Sequence, residues 1–139
     1  ETYSGTSCWL MKYDLQSDTT RMLMTYLISK STLEGIHVKT QMYTNNELTF
    51  EHEEDIEPGE TGDMPEPIDM TTATSYETIT VPAGTFNCGK TTITTSVSGV
   101  THTTSSWASS SVPIIGLVKI ESMSDGAVIS TTELVSYHN

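Results

Sequence analysis

The first fifty residues alternate between apolar and polar side chains with the period of two that a half-buried β-strand requires. Four stretches carry this pattern: SCWLMKYDL, RMLMTYLISK, IHVKTQMY and LTFEHEE. Each directs its apolar residues to one face, in chain order Trp9, Met11, Tyr13 and Leu15; Met22, Met24, Tyr26 and Ile28; Ile36, Val38 and Met42; Leu48 and Phe50. Short turns separate them, so we predict an antiparallel meander.

Residues 53–70, EEDIEPGETGDMPEPIDM, interrupt this pattern with three of the 5 prolines and many carboxylates. Such a segment buries little, so we expect a long loop. Strand patterns then resume from SYETITV to AVISTTELVSYH, with Gly89 as a candidate bulge. The predicted fold is all-β: residues 1–139 form one domain, a curved antiparallel sheet of about eight strands in two meanders joined by the acidic loop.

Charge and hydropathy narrow the choice of partners. The chain carries 18 acidic and 6 basic residues, a formal net charge of -12, which argues against nucleic acid and anionic membrane surfaces. No apolar run approaches the roughly 18 residues of a membrane-spanning helix. Because the sequence starts at Glu1 rather than at a methionine, we expect it to be a fragment or the mature part of a longer chain.

The second half resembles a known group of proteins. The segments VPAGTFNC, SSW, VPIIGLVKIES and ELVSY, within about residues 76–137, resemble the C-terminal pattern of envelope proteins related to the LolA-like superfamily of lipoprotein carriers. Gly5, Cys8 and Trp9 also match a strand that such proteins place before their central hairpins. The resemblance implies a half-barrel curved around apolar contents and an extracytoplasmic location, in the cell envelope or outside the cell.

The 2 cysteines, Cys8 and Cys88, each lie inside a predicted strand. In an exported chain, an even number of cysteines favours a disulfide. A bridge between them would close a loop of about 80 residues and stabilise the fold by roughly 4 kcal/mol in the chain-entropy model. The alternative is two separate buried thiols. We predict the bridge.

No catalytic, metal or cofactor motif is present in the sequence. The histidines, His37, His52, His102 and His138, lack metal-ligand spacing, and there is no nucleophile motif of the G-x-S-x-G type. An enzyme would need a polar cluster that only folding assembles, such as His102 beside Glu133. We therefore predict a non-enzymatic protein without catalytic residues, metal or cofactor.

The candidate ligand-binding site is the apolar concave face of the first three strands: Trp9, Met11, Met22, Met24, Tyr26 and Met42. Methionine is flexible and polarisable, so a methionine-rich face adapts to varied apolar ligands. The predicted function is a binding module for lipid or a lipidated partner protein. Two alternatives stay open: an ordinary core in which methionine fills space, and a structural or adhesion module of a larger surface protein that makes contacts through its sheet edges or the acidic loop. An unpaired edge strand would also favour a homodimer.

Overall fold

The structure is a computed structural model, which describes residues 1–57 and 73–138. Every regular element in these two ranges is a β-strand. The ten strands are β1 Thr2–Tyr3, β2 Thr6–Ser17, β3 Thr20–Ser29, β4 Gly35–Thr44, β5 Glu47–Asp55, β6 Ser75–Val81, β7 Gly84–Val97, β8 Val100–Ala108, β9 Leu117–Ser124 and β10 Ala127–His138.

The strands form one curved, open, antiparallel sheet. Nine of them follow the order β5-β4-β3-β2-β10-β9-β8-β7-β6, and the short β1 pairs with β2 outside this path. The last strand, β10, therefore lies beside β2 and joins the two meanders in the middle of the sheet. The predicted all-β fold is confirmed, with ten strands where about eight were expected. The sheet edges are β5 and β6.

The main hydrophobic core gathers side chains from both meanders. Met11, Tyr13, Tyr26 and Ile28 contribute from β2 and β3, and Leu134 contributes from β10. The tip of the β6–β7 hairpin reaches β10, where the Ala83 amide donates a hydrogen bond to the Leu134 carbonyl. The hairpin, the end of β8 and the loop after β8 complete this core with Val81, Phe86, Cys88, Trp107, Val112 and Ile115.

A second, smaller cluster contains Cys8, Leu10 and Leu27, with Tyr3 and Ile36 packed against it. Alternation along β2 places this cluster on the face opposite Met11, because successive side chains of a strand point to opposite faces. The paired strand β1 holds the start of the chain close to Cys8, whose amide donates a hydrogen bond of 2.7 Å to the Glu1 carbonyl.

The observed strand pairing overturns three details of the predicted pattern. The β3–β4 register shifts between Leu27 and Ile28, and Ile36 packs in the second cluster rather than beside Val38. A shift in β5 pairs Phe50 with Met42 and Leu48 with Tyr43, so Leu48 and Phe50 do not share a face. By contrast, Gly89 lies in regular register with both neighbouring strands, so the expected bulge there is wrong.

The predicted acidic loop begins later than the sequence pattern indicated. Glu53, Glu54 and Asp55 belong to β5. Ile56 follows and packs in the main core, and its amide donates to the Ile36 carbonyl. Residues 58–72, which include most of the predicted loop, lie outside the described residues.

Candidate binding surface

Strand register aligns the predicted apolar face in rows that run across the sheet. One row pairs Met11 with Tyr26 and Tyr26 with Val38. Met11 is 0% exposed and Tyr26 is 1% exposed, so this row belongs to the core. The Tyr26 hydroxyl donates to the Met24 Sδ at 3.4 Å, which ties the core to the next row.

A different row, four residues further along β2, lies at the solvent. Leu15 pairs with Met22, Met22 pairs with Met42, and Met42 pairs with Phe50. We call these four side chains the methionine stripe. It crosses four neighbouring strands, a length of about 15 Å from three strand spacings. None of its members is buried, and Phe50 is 51% exposed.

The structure places all six predicted site residues on one face but gives them different environments. Met11 and Tyr26 are core residues, and Trp9 and Met24 are partly buried against the core. Only Met22 and Met42 lie in the methionine stripe. The predicted site did not include Leu15 and Phe50, although both had been assigned to apolar strand faces; the register between strands places them in the same row as Met22 and Met42.

The outer end of the methionine stripe meets a charged strand. Phe50 stacks on His52 with ring centroids 6.2 Å apart, and His52 Nε2 lies 3.4 Å from Glu54. Along this strand, β5, all nine residues are exposed, and five of them are acidic: Glu47, Glu51, Glu53, Glu54 and Asp55. The stripe therefore continues from half-buried methionines to an exposed, strongly acidic sheet edge.

Few cations balance the carboxylates of β5. Lys39 Nζ lies 3.3 Å from Glu51 and 3.7 Å from Glu53. A hydrogen bond from Gln41, and then the contact with Lys39, lowers the pKa of Glu51. A single lysine thus forms ion pairs with two carboxylates, and this edge keeps an excess of negative charge.

Asp55 joins the end of β5 to the short first strand. The Tyr3 hydroxyl donates to Asp55 Oδ1 at 2.7 Å, and His37 Nδ1 lies 2.8 Å from the same oxygen. The Tyr3 ring also lies over the His37 ring, with centroids 4.8 Å apart. These contacts, first that of Tyr3 and then that of His37, lower the pKa of Asp55, and the bond to Asp55 raises the pKa of Tyr3. We call the contacts among Tyr3, His37 and Asp55 the latch, since they hold β1 over the second cluster.

The predicted disulfide is not formed. Cys8 and Cys88 are both free and buried. Cys8 packs with Leu10 and Leu27 in the second cluster, whereas Cys88 packs in the main core. The strands that carry them, β2 and β7, are not neighbours in the sheet. The correct alternative is therefore two separate buried thiols, and burial, together with the nearby Glu77, raises the pKa of Cys88.

Charged side chains surround the second tryptophan, Trp107. Its indole nitrogen donates to Glu77 on the edge strand β6. The ammonium groups of Lys90 and Lys119 lie 4.8 Å and 5.4 Å from its ring centroid. Lys119 also contacts Glu121 at 3.3 Å. Trp107 is 6% exposed, and this arrangement ties β6 to strands β7, β8 and β9.

The polar cluster that an enzyme would require is not assembled at the predicted pair. His102 pairs with Ser124, whereas Glu133 pairs with Lys119 and Asp14, so strand β9 separates the two side chains. Within residues 1–57 and 73–138 no group of three histidine, cysteine or acidic side chains is placed to hold a metal ion. A shallow polar cleft of about 240 Å³ lies at the β2–β3 and β4–β5 turns, lined by Gln16, Asp18, Thr19, Thr20, Arg21, Tyr43 and Asn46.

Two comparisons with known proteins found no match. No protein-family model matches the chain, and no curated protein matches it significantly. The resemblance to the LolA-like superfamily and the extracytoplasmic location therefore stay predictions. In the described part of the chain, none of the elements is a helix of the length and apolar character needed to cross a membrane.

Proposed function

We propose that this protein is a non-enzymatic binding module whose ligand-binding surface is the methionine stripe. The observation that carries the proposal is the direct pairing of Leu15, Met22, Met42 and Phe50 across four strands, with all four side chains at least partly accessible. Contiguous apolar surface of this kind marks interaction sites more often than scattered single apolar residues do.

The composition of the stripe suits an adaptable contact. Unbranched methionine side chains change rotamer easily and make favourable contacts with aromatic rings and aliphatic groups. Met22 and Met42 occupy the middle of the stripe, and the exposed ring of Phe50 ends it at the sheet edge. A partner with apolar side chains spaced across about 15 Å would contact all four residues.

The shape of the surface favours a protein segment over a lipid as the partner. Sites for small apolar ligands are concave and bury most of the ligand surface. The stripe instead consists of side chains that stay partly in water, and Phe50, at its outer end, is about half exposed. The polar cleft lies on the opposite face, beside Arg21 and Tyr43, and adds no apolar volume to the stripe.

Methionine-methyl NMR of the full chain tests this proposal. The protein, labelled at the methionine methyl groups, is titrated with a peptide of alternating valine and serine and, separately, with a long-chain fatty acid. We expect the peptide to shift the methyl signals of Met22 and Met42 and to leave that of the buried Met11 unchanged. Shifts caused only by the fatty acid would make the protein a lipid binder. No shift with either ligand would contradict a binding role and favour a structural module.

A further inference from the structure

Within residues 1–57 and 73–138, strand β5 is a long strand at one edge of the sheet. It contains nine residues and pairs only with β4 among the described residues. From Phe50 to Asp55 its register with β4 is regular, so the opposite side of this stretch presents a row of backbone N–H and C=O groups. Such an edge is a template for another strand.

Negative charge is the main protection that β5 carries as an edge strand. Proteins protect edges with charged side chains, especially lysine, and with proline, bulges or very short strands. β5 contains neither proline nor lysine, and its irregularity lies at its start, between Leu48 and Phe50. What distinguishes it is charge: five of its nine side chains are acidic. This charge repels acidic strands and attracts basic ones, which makes the edge selective.

The two faces of β5 differ in chemistry. Phe50 pairs with Met42 and so continues the methionine stripe. Glu51, Glu53 and Asp55 lie on the other face, because side chains alternate along a strand. A strand added to this edge would therefore place one set of its side chains beside Phe50, His52 and Glu54 and the other set beside the three carboxylates.

We infer that the partner is an extended basic segment of another protein, which adds to β5 as a further strand of the sheet. Its apolar side chains extend the methionine stripe beyond Phe50, and its alternate lysine or arginine side chains pair with Glu51, Glu53 and Asp55. This inference rests on the proposed function, since the added strand contacts the outer end of the same stripe at Phe50.

A second copy of the chain fits this edge poorly. Each copy has a formal net charge of -12, so pairing β5 with β5 would place acidic side chains against acidic side chains. The opposite edge, β6, offers less to such a partner. Its Ile79 and Val81 pack in or against the main core, and its Glu77 is bound to Trp107.

The experiment uses a synthetic peptide of alternating lysine and valine and the full chain. Amide hydrogen exchange of β5 and the methionine-methyl signals are measured by NMR in the same titration. We expect the peptide to slow exchange in β5 and to shift the Met42 methyl. The control peptide has the same sequence and charge but is N-methylated at two adjacent central residues. Because neighbouring amides point to opposite edges of a strand, this blocks hydrogen bonding along both edges of the peptide. It should bind at least roughly tenfold more weakly, because strand addition depends on backbone hydrogen bonds.

Paired charge variants separate edge pairing from general attraction. E51Q/E53Q and D18N/E34Q each remove two negative charges, and only the first pair lies on β5. We expect E51Q/E53Q to weaken peptide binding by roughly tenfold and D18N/E34Q by less than about twofold, since Asp18 and Glu34 lie in turns outside β5 and do not face the side chains of the added strand.

Three results would overturn the inference. The first is an N-methylated peptide that binds as tightly as its parent, and the second is an equal loss of affinity in both double variants. The third is slow amide exchange of β5 in the free protein that depends on protein concentration, which would show pairing with a second copy. If the Met42 methyl shifts while β5 exchange is unchanged, the stripe still binds and only strand addition fails. If neither responds to this peptide or to the valine–serine peptide and the fatty acid, the proposed function fails as well.

Discussion

The same truncation at Met11 and at Met42 should have different effects, because the two residues lie in different parts of one apolar face. Met11 is 0% exposed and contacts the main core. Met42 is partly accessible and has Met22 and Phe50 as its cross-strand neighbours. The matched variants are Met11→Ala and Met42→Ala.

The expected loss of stability follows from burial. Truncating a fully buried methionine removes its transfer free energy and leaves a cavity, at a cost of about 3 kcal/mol within a usual range of 2–5 kcal/mol. Truncation of Met42 leaves no closed cavity, because its side chain is only partly buried. We therefore expect it to lose about half of the contribution of a fully buried side chain, which is roughly 1 kcal/mol. With an m value of about 1.5 kcal/mol/M, the urea midpoint should fall by about 2 M for Met11→Ala and by about 0.7 M for Met42→Ala.

Equilibrium urea unfolding, followed by circular dichroism and by tryptophan fluorescence, measures both midpoints. Coincident transitions by the two probes establish that one free energy of unfolding describes each variant. If the two variants lose equal stability, the division of this face into a core and an open stripe is refuted. Wild-type affinity of Met42→Ala for the alternating peptides would separately contradict the role of the stripe in binding.

Three further predictions concern the latch, the thiols and Trp107. The hydrogen bonds of the latch lower the pKa of Asp55 below its ordinary value of 3.8, so the latch should stabilise β1 fully above pH 3.8 and lose this effect as the pH falls through the lowered pKa. Asp55→Asn should therefore speed hydrogen exchange of the Cys8 amide at neutral pH. Unchanged exchange would refute the latch. Cys8 and Cys88 should react with a thiol reagent only after denaturation, and a mass gain of two hydrogens on reduction would instead reveal a bridge. Trp107→Phe should cost about 1 kcal/mol, measured by urea unfolding, because it removes the indole hydrogen bond to Glu77, whose exposed carboxylate stays hydrated; an unchanged midpoint would contradict that role.

The period of two along the chain was sufficient to predict the fold class. The register confirms the expected shared face in β2 and β3, where Met11 pairs with Tyr26 and Leu15 pairs with Met22. This succeeded because each strand has to bury one face, so the alternation is a direct consequence of the sheet. The turns at Asn45 and Asn46, which adopt positive φ, were also recognisable from their residue types.

The details that failed depend on which strands are neighbours. Bulges shift Ile36 and Leu48 away from their expected faces, and a shift of one residue reverses the face of a side chain. Cys8 and Cys88 were predicted to bond because an even number of cysteines in an exported chain favours a disulfide, yet alternation and sheet order place them in different clusters. Local patterns do not contain this information, since sheet order is set by contacts distant in sequence.

The sequence predicted which face of the sheet carries the candidate site, but not which of its residues are accessible to solvent. The sequence pattern brings Met11, Tyr26, Met22 and Met42 to one side of the sheet, and it contains nothing that tells a covered row from an open one. That difference arises from residues far along the chain, such as Phe86 of the β6–β7 hairpin and Leu134 of β10, which complete the core. For the same reason Phe50 was not recognised as the outer end of the methionine stripe.

Methionine oxidation footprinting of the free protein tests the central claim most directly, since the claim requires that the stripe be open in solution. Brief treatment with dilute peroxide converts accessible methionines to sulfoxides, which mass spectrometry of peptides locates. The account predicts rapid oxidation of Met22 and Met42 and protection of Met11 until the protein unfolds. Protection of Met22 and Met42 equal to that of Met11 would show that the stripe is covered, and it would contradict the proposal that this surface awaits a partner.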